Sequence, residues 1–391
     1  MVGAGPTGVC LALLLARQGV KVTLVETSRD PGGRFRGEAL MPHGLHVLDA
    51  MGLLPLPPVI PQQPLSGWRF AVNGHDWFRL SEPLEPAGTL RCTLISQPAL
   101  LRHLLRHLEA NAGVSLLQGN AAETLLWEGE RVIGVRLSDG RALHAPLVVA
   151  ADGRGSRLRQ QADLALAQLG NSFELLWFLL PHADATPLAG EFVTLIGPAG
   201  LCSAFPSAAG GVQVGWVQAP GVRTELDWGE RLAAQSPADL APWWREHGEG
   251  FGSPARLRVQ VGQARRWWQP GLLLLGDAAH PMSPVRAQGI NVGLRDAWVA
   301  ARELGPLLRQ GPPTDPALAA ALARIEAQRR PEITGLQRRQ AAETAKGQLL
   351  MRQPPLRGLA AGTAAWLGPV LARRWRHEQA PFRQGITVLP D

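Results

Sequence analysis

Gly3-Ala4-Gly5-Pro6-Thr7-Gly8 runs into the apolar stretch Val9–Ala16 and then into Val20-Lys21-Val22-Thr23-Leu24-Val25-Glu26. The first six residues fit G-x-G-x-x-G. Missing side chains let the backbone approach a pyrophosphate, and the N-terminus of the following helix offers free N–H groups and a positive dipole end. Val9–Ala16 is helix-compatible, and Val20–Val25 alternates into a β-branched run that ends at Glu26. Glycine turn, helix and strand together have the shape of a βαβ unit. An acid at Glu26 suits a ribose diol and disfavours a 2′-phosphate. The bland alternative is a tight turn. The helix, the strand and Glu26 favour a dinucleotide, without separating FAD from NAD. Only Met1 and Val2 stand where a preceding strand of about five residues is usual. A truncated chain, a misassigned start or a shortened central strand each accounts for this.

Two further stretches place an acid at the tip of an apolar run. Leu272-Leu-Leu-Leu-Gly276-Asp277-Ala278-Ala279-His280-Pro281 reads as a buried parallel strand ending beside a carboxylate, where ligands sit in open α/β sheets. Gln288-Gly289-Ile290-Asn291 then opens a helix whose N–H groups suit an anionic ring system. A helix-capping Asp is the plain alternative. Leu147-Val-Val-Ala-Ala-Asp152-Gly153-Arg154-Gly155-Ser156-Arg157 is again a strand ending in Asp-Gly, and read alone it is an ordinary turn.

In this order and spacing the three motifs resemble the class A flavoprotein monooxygenases with the para-hydroxybenzoate hydroxylase fold. The resemblance covers nearly the whole chain, and residues 166–255 match only in character. It implies an α/β fold: a Rossmann-like FAD-binding domain (1–65, 90–165 and 256–340), an inserted antiparallel-sheet substrate domain (66–89 and 166–255) and a C-terminal helical region (341–391). It implies FAD as cofactor. Gly3, Gly5, Thr7 and Gly8 would hold the pyrophosphate and Glu26 the ribose. Gly276 and Asp277 would hold the chain between phosphate and ring, with Pro284, Gly289, Ile290 and Asn291 beside the isoalloxazine. Asp152, Gly153 and Arg157 match a motif associated with FAD and NAD(P)H, and Arg36 a flavin-side arginine. Gln97 stands where relatives often carry arginine. Val285-Arg286-Ala287-Gln288-Gly289 lacks the first glycine of the usual loop, which brings Arg286 toward the flavin.

The implied reaction takes electrons from NADH or NADPH and hydroxylates an apolar, aromatic or polyketide-like molecule with O₂ through a flavin C4a-hydroperoxide. A reductase of the same fold that inserts no oxygen is the alternative, and a protein that holds no flavin is a third. A related halogenase needs a suitably placed lysine, and Lys21 and Lys346 lie in the wrong regions. With no tyrosine in the chain, any substrate base must be His or a carboxylate. His280 is the weak candidate for a catalytic residue, and its place in the Gly-Asp motif favours a structural role. Trp177 and Trp216 are expected to line or back the substrate pocket, and Trp267-Trp268 to lie at a surface or interface.

Composition excludes other classes. The 391 residues are 46% hydrophobic and 18% charged, with a net charge of +7 carried almost wholly by scattered arginines. That argues against disorder and against nucleic-acid binding. Cys10, Cys92 and Cys202 are too few and too dispersed for a disulfide framework or a metal site, which suits a reducing cytoplasm. No signal peptide is visible. Prolines break the charge-free run 192–222, and Gly358–Ala372 is too short to span a bilayer. No membrane contact is expected: the C-terminal segment reads as a packed amphipathic helix despite Arg373, Arg374 and Arg376. The oligomeric reading is a monomer or homodimer. Trp68–Leu80 reads as a hairpin around Asn73-Gly74, Gln97–Asn111 and Leu226–His247 as helices, and 170–260 as a separate sheet.

Overall fold

The computed structural model describes residues 1–30, 38–85, 89–169, 173–181, 187–218 and 227–389. Its helices are α1 (Pro6–Arg17), α2 (Pro42–Ala50), α3 (Gln97–Glu109), α4 (Arg157–Gln161), α5 (Trp228–Gln235), α6 (Ala241–Glu246), α7 (Gln288–Arg309), α8 (Asp315–Arg352), α9 (Pro354–Gly362) and α10 (Ala364–Gln384).

Strand Val22–Glu26 pairs in parallel with Val114–Gln118, and Val148–Ala150 with Leu272–Leu274. Val2 bridges these two pairs, in parallel with Val25 on one side and Ala150 on the other. The shortened first strand is therefore one residue at the centre of the sheet. Its N–H donates to Val149 O and its carbonyl accepts from Ala151 N–H. The parallel strands are apolar because both faces are covered. α1 packs between α3 and α7 and buries Gly8–Leu15 without a break. The leucine face of α3 is buried as its spacing predicts, from Leu100 to Leu108.

A seven-stranded sheet runs in the order Ala255–Val259, Phe173–Leu180, Val212–Gln218, Gly200–Pro206, Glu191–Gly197, Gly67–Val72, His75–Ser81. The hairpin around Asn73-Gly74 thus joins the same sheet as the later strands. One pair, Glu191–Gly197 with Gly67–Val72, is parallel, and every other neighbour is antiparallel. Its two faces follow the strand period of two. Leu176, Phe178, Cys202, Val214 and Trp216 face one way onto α5 and α6. Leu175, Trp177, Ser203, Phe205 and Gly215 face the other way onto a cavity.

Two expectations change. Leu226–His247 is two helices, because Pro237 after Ser236 supplies no N–H to continue α5; Leu226 itself lies outside the described residues. Trp267 is not at the surface but wholly buried, with its ring 4.8 Å from that of His280. α10 buries Gly368, Trp375 and Phe382 on one face and leaves Trp366, Leu367 and Val370 exposed on the other. No helix among the described residues is long and apolar enough to cross a membrane.

Candidate active site

The glycine stretch is fixed by close backbone approach. Gly3 has φ +98°, and a Cβ there would run into the carbonyl of Ala151. A Cβ on Gly8 would meet the carbonyl of Gly3. Thr7 Oγ1 occupies the space that a Cβ at Gly276 or Gly293 would need, so α1, α7 and the Gly276 turn meet at one point. Gly5 stands at the N-cap of α1 and supplies no side-chain cap, and Gly5, Pro6 and Thr7 border the cavity. Its first-turn N–H groups are thus left for a ligand. Glu26 stands beside this turn, accepting from Ala4 N–H at 2.7 Å and Ser28 N–H at 2.8 Å.

The two Asp motifs come to the same place. Asp152 Oδ2 accepts weakly from Leu158 N–H at 3.4 Å, while Oδ1 is buried with no partner. Burial pushes the Asp152 pKa up. Arg154 Nε donates to Asp277 Oδ2 at 3.0 Å, so the motifs are joined by an ion pair. Arg157 is exposed and does not reach the cavity. The buried arginine is Arg159, which donates to Ala278 O at 2.7 Å and Arg154 O at 3.1 Å. It ties the two loops together, whereas Arg157, the arginine expected at the cofactor, points away from the cavity. The choice turns on which side of a short helix faces inward. Gln97 lies on the cavity wall with its Oε1 buried and unpartnered. Arg36 lies outside the described residues.

Asp277, Pro284, Gly289 and Ile290 border the cavity, and α7 begins there with no side-chain cap. Gly276 and Asn291 do not border it. Asn291 Oδ1 accepts from Met41 N–H at 2.8 Å and its Nδ2 donates to Ala287 O at 2.6 Å, so it braces the loop from behind. Arg286 and Ala287 adopt left-handed backbone at φ 60° and 49°, a cost a glycine would not carry. The turn drives the Arg286 guanidinium between aromatic rings, 4.7 Å from Trp375, 5.5 Å from Phe70 and 5.7 Å from Trp68. Its Nε donates to Glu343 at 2.7 Å, and Gln379 holds the other oxygen of that carboxylate at 2.7 Å. The sequence points Arg286 toward the flavin and gives no sign of these partners. Glu343, Trp375 and Trp68 come from distant segments with no local motif.

The cavity measures about 910 Å³. Trp177 lines it, opposite Gly215, whose missing side chain makes room for the indole. Trp216 does not line it. One residue further along its strand, it is turned to the opposite face and buried against Trp228. Glu38 was also missed. It lines the cavity and accepts from Ser207 Oγ at 3.0 Å and Ala208 N–H at 2.7 Å, with its pKa raised by burial. His280 is wholly buried away from the cavity, 2.6 Å from Asp296 Oδ2. Asp296 also accepts from Gly276 N–H and from Arg329 Nε. His280 therefore belongs to the scaffold that fixes the Gly276 turn. No histidine lines the cavity among the described residues.

The chain matches the family described as FAD binding domain over residues 1–334. A 6-methylpretetramide 4-monooxygenase of Streptomyces rimosus is 35% identical over 352 residues, covering 85% of this chain and 80% of that one. The ubiquinone hydroxylase UbiL of Rhodospirillum rubrum is 31% identical over 351 residues, covering 85% and 77%. Among solved structures, P. aeruginosa PqsL superposes with TM-score 0.79 at 24% identity, over 90% of this chain and 96% of that one. The p-nitrophenol 4-monooxygenase PnpA of Pseudomonas putida gives 0.80 at 20%, over 99% and 98%. At these identities the two structures speak for the fold.

Proposed function

The chain belongs to the FAD-binding family of class A flavoprotein monooxygenases, and from that premise we propose how its residues divide the work. It is an FAD-dependent oxidoreductase acting on a small molecule. The observation that carries the assignment of residues is the meeting of Gly5–Thr7, Gly153 and Asp277 on one cavity whose remaining wall is aromatic.

The cavity fits the cofactor. An uncapped helix N-terminus at α1 suits the pyrophosphate, with Gly3, Gly5 and Gly8 carrying no side chain and Thr7 turning its own toward Gly276 and Gly293. Glu26 would take the ribose. Asp277 would take the hydroxyls of the linking chain, and the orphaned oxygens of Gln97 and Asp152 offer acceptors nearby. When bound, FAD accepts electrons from NADH or NADPH and activates O₂. The uncapped N-terminus of α7, at Gly289 and Ile290, would face the ring system and stabilise negative charge on it. The residue ranges expected for the two domains and the helical region stand as part of this reading.

Trp68, Phe70, Trp177, Phe192 and Phe205 wall the rest of the cavity. They exclude water and suit an apolar aromatic or polyketide-like substrate, in keeping with the substrate named for the Streptomyces relative. Arg286 spends its Nε on Glu343 and keeps its terminal nitrogens for an oxygen on that substrate. Arg286→Met is expected to raise KM about ten- to hundredfold while flavin content holds, since a hydrogen bond to a charged group is worth ~1.5–3 kcal/mol. Steady-state kinetics read this, and an unchanged KM would remove the assignment.

The general test is NAD(P)H oxidation by the FAD-loaded protein across phenols, quinones and polycyclic aromatics. Substrate-stimulated turnover with a product one oxygen heavier supports hydroxylation. Turnover without O₂ that leaves a reduced product favours the reductase.

A further inference from the structure

We propose that the outer face of α9 and α10 docks on an anionic lipid bilayer. Leu356, Leu359, Trp366, Leu367 and Val370 recur at helical spacing through these two helices, which adjoin at Thr363. All are exposed, Trp366 at 87%. Leu356 and Leu359 are three apart on α9, and Trp366 and Val370 four apart on α10 with Leu367 beside them, so each helix carries its own exposed apolar group. The opposite side of α10 is already committed, with Gly368 against the Trp77 carbonyl and Trp375 and Phe382 in the interior. These apolar groups are therefore surplus to folding.

Unpaired positive charge lies beside them. Between Glu343 and Glu378 there is no acidic residue; Lys346 and Arg374 pair with Glu378 and Arg357 is buried against Asn73 and the Met351 carbonyl, which leaves Arg352, Arg373 and Arg376. Arg352, Arg373 and Arg376 are exposed and form no ion pair with a described residue. A second copy of the chain would set these arginines against one another, whereas anionic headgroups neutralise them. Apolar side chains flanked by unpaired arginines mark a helix that lies in a bilayer surface. These helices rest on the bilayer, since none among the described residues can cross one. The inner side of α10 walls the cavity through Leu371 and Trp375, so a docked membrane would lie one helix away from the site. Sequence alone did not favour membrane contact, because it cannot show which face of a helix is left uncovered. The inference does not depend on the flavin chemistry.

The experiment is sedimentation of the FAD-loaded full chain with vesicles of phosphatidylcholine alone or mixed with phosphatidylglycerol. Partition onto the mixed vesicles is expected to be at least about tenfold greater, and to fall as salt rises. Trp366→Ala with Val370→Ala, and separately Arg373→Gln with Arg376→Gln, are each expected to lower it about tenfold. These residues lie off the cavity, so flavin content and circular dichroism should hold. The idea fails if both vesicle types bind alike or neither binds, or if the variants partition like the parent. It also fails if these apolar groups join two copies, seen as a dimer that Trp366→Ala with Val370→Ala makes monomeric while vesicles capture nothing.

Discussion

Gly3→Ala is expected to release the flavin. At φ +98° a side chain is strained wherever there is room for it, at a cost of about 1–3 kcal/mol. Here there is no room, since the new methyl would press on the Ala151 carbonyl and the Asp152 Cα, both backbone atoms that cannot rotate away. The relief is to move the glycine turn off the loop that carries Asp152, which separates two walls of the proposed cofactor site. FAD affinity should fall about a hundredfold or more, read as flavin absorbance retained per chain after gel filtration, with circular dichroism to show the chain still folded. Gly155→Ala is the control, a loop glycine with open space around its Cα and ordinary φ, and it should keep its flavin. Full flavin content in Gly3→Ala would mean that the turn does not carry the cofactor.

Asp296→Asn should cost about 3–5 kcal/mol of stability, the usual result of removing one partner from a buried ion pair. Burial by itself disfavours the Asp296 carboxylate, but His280 and Arg329 outweigh it and hold the pKa to about 2. Glu332 would be left to balance both Arg329 and Arg295 in the interior. Gly276 N–H would lose its anionic acceptor, loosening the turn that presents Asp277. The pH dependence has a definite sign. A carboxyl whose folded pKa lies below its unfolded value, about 3.9, stabilises fully above that value and loses the contribution as pH falls toward 2. The gap in denaturant midpoint between parent and variant should therefore be full near pH 7 and shrink below about pH 4. A gap that stayed constant down to pH 2 would show that the charge is not what stabilises.

Much of the proposed cofactor side was legible because it is encoded locally. A glycine that must take φ +98°, an acid at a strand tip and an apolar run of four leucines are each read within a few residues, and the three motifs meet. The substrate side was less legible. Whether Trp177 or Trp216 faces the cavity depends on strand register and on which side α5 and α6 cover, and a period of two gives no sign of that. Arg157 and Arg159 differ likewise only in which side of α4 turns inward. Glu343 and Trp375 reach the cavity because α8 and α10 fold back over it, through contacts between residues far apart in the chain.

What the sequence by itself determined is the backbone at the glycine turn, since steric freedom at Gly3 and dipole placement at α1 are properties of neighbouring residues. What only the tertiary structure decided is the surroundings of side chains: the ring cage around Arg286, the burial of His280 with Asp296, and the uncovered apolar groups on α9 and α10. The physical reason is that burial is a relation between distant segments, and a segment's own pattern tells that it has an apolar face but not what comes to cover it.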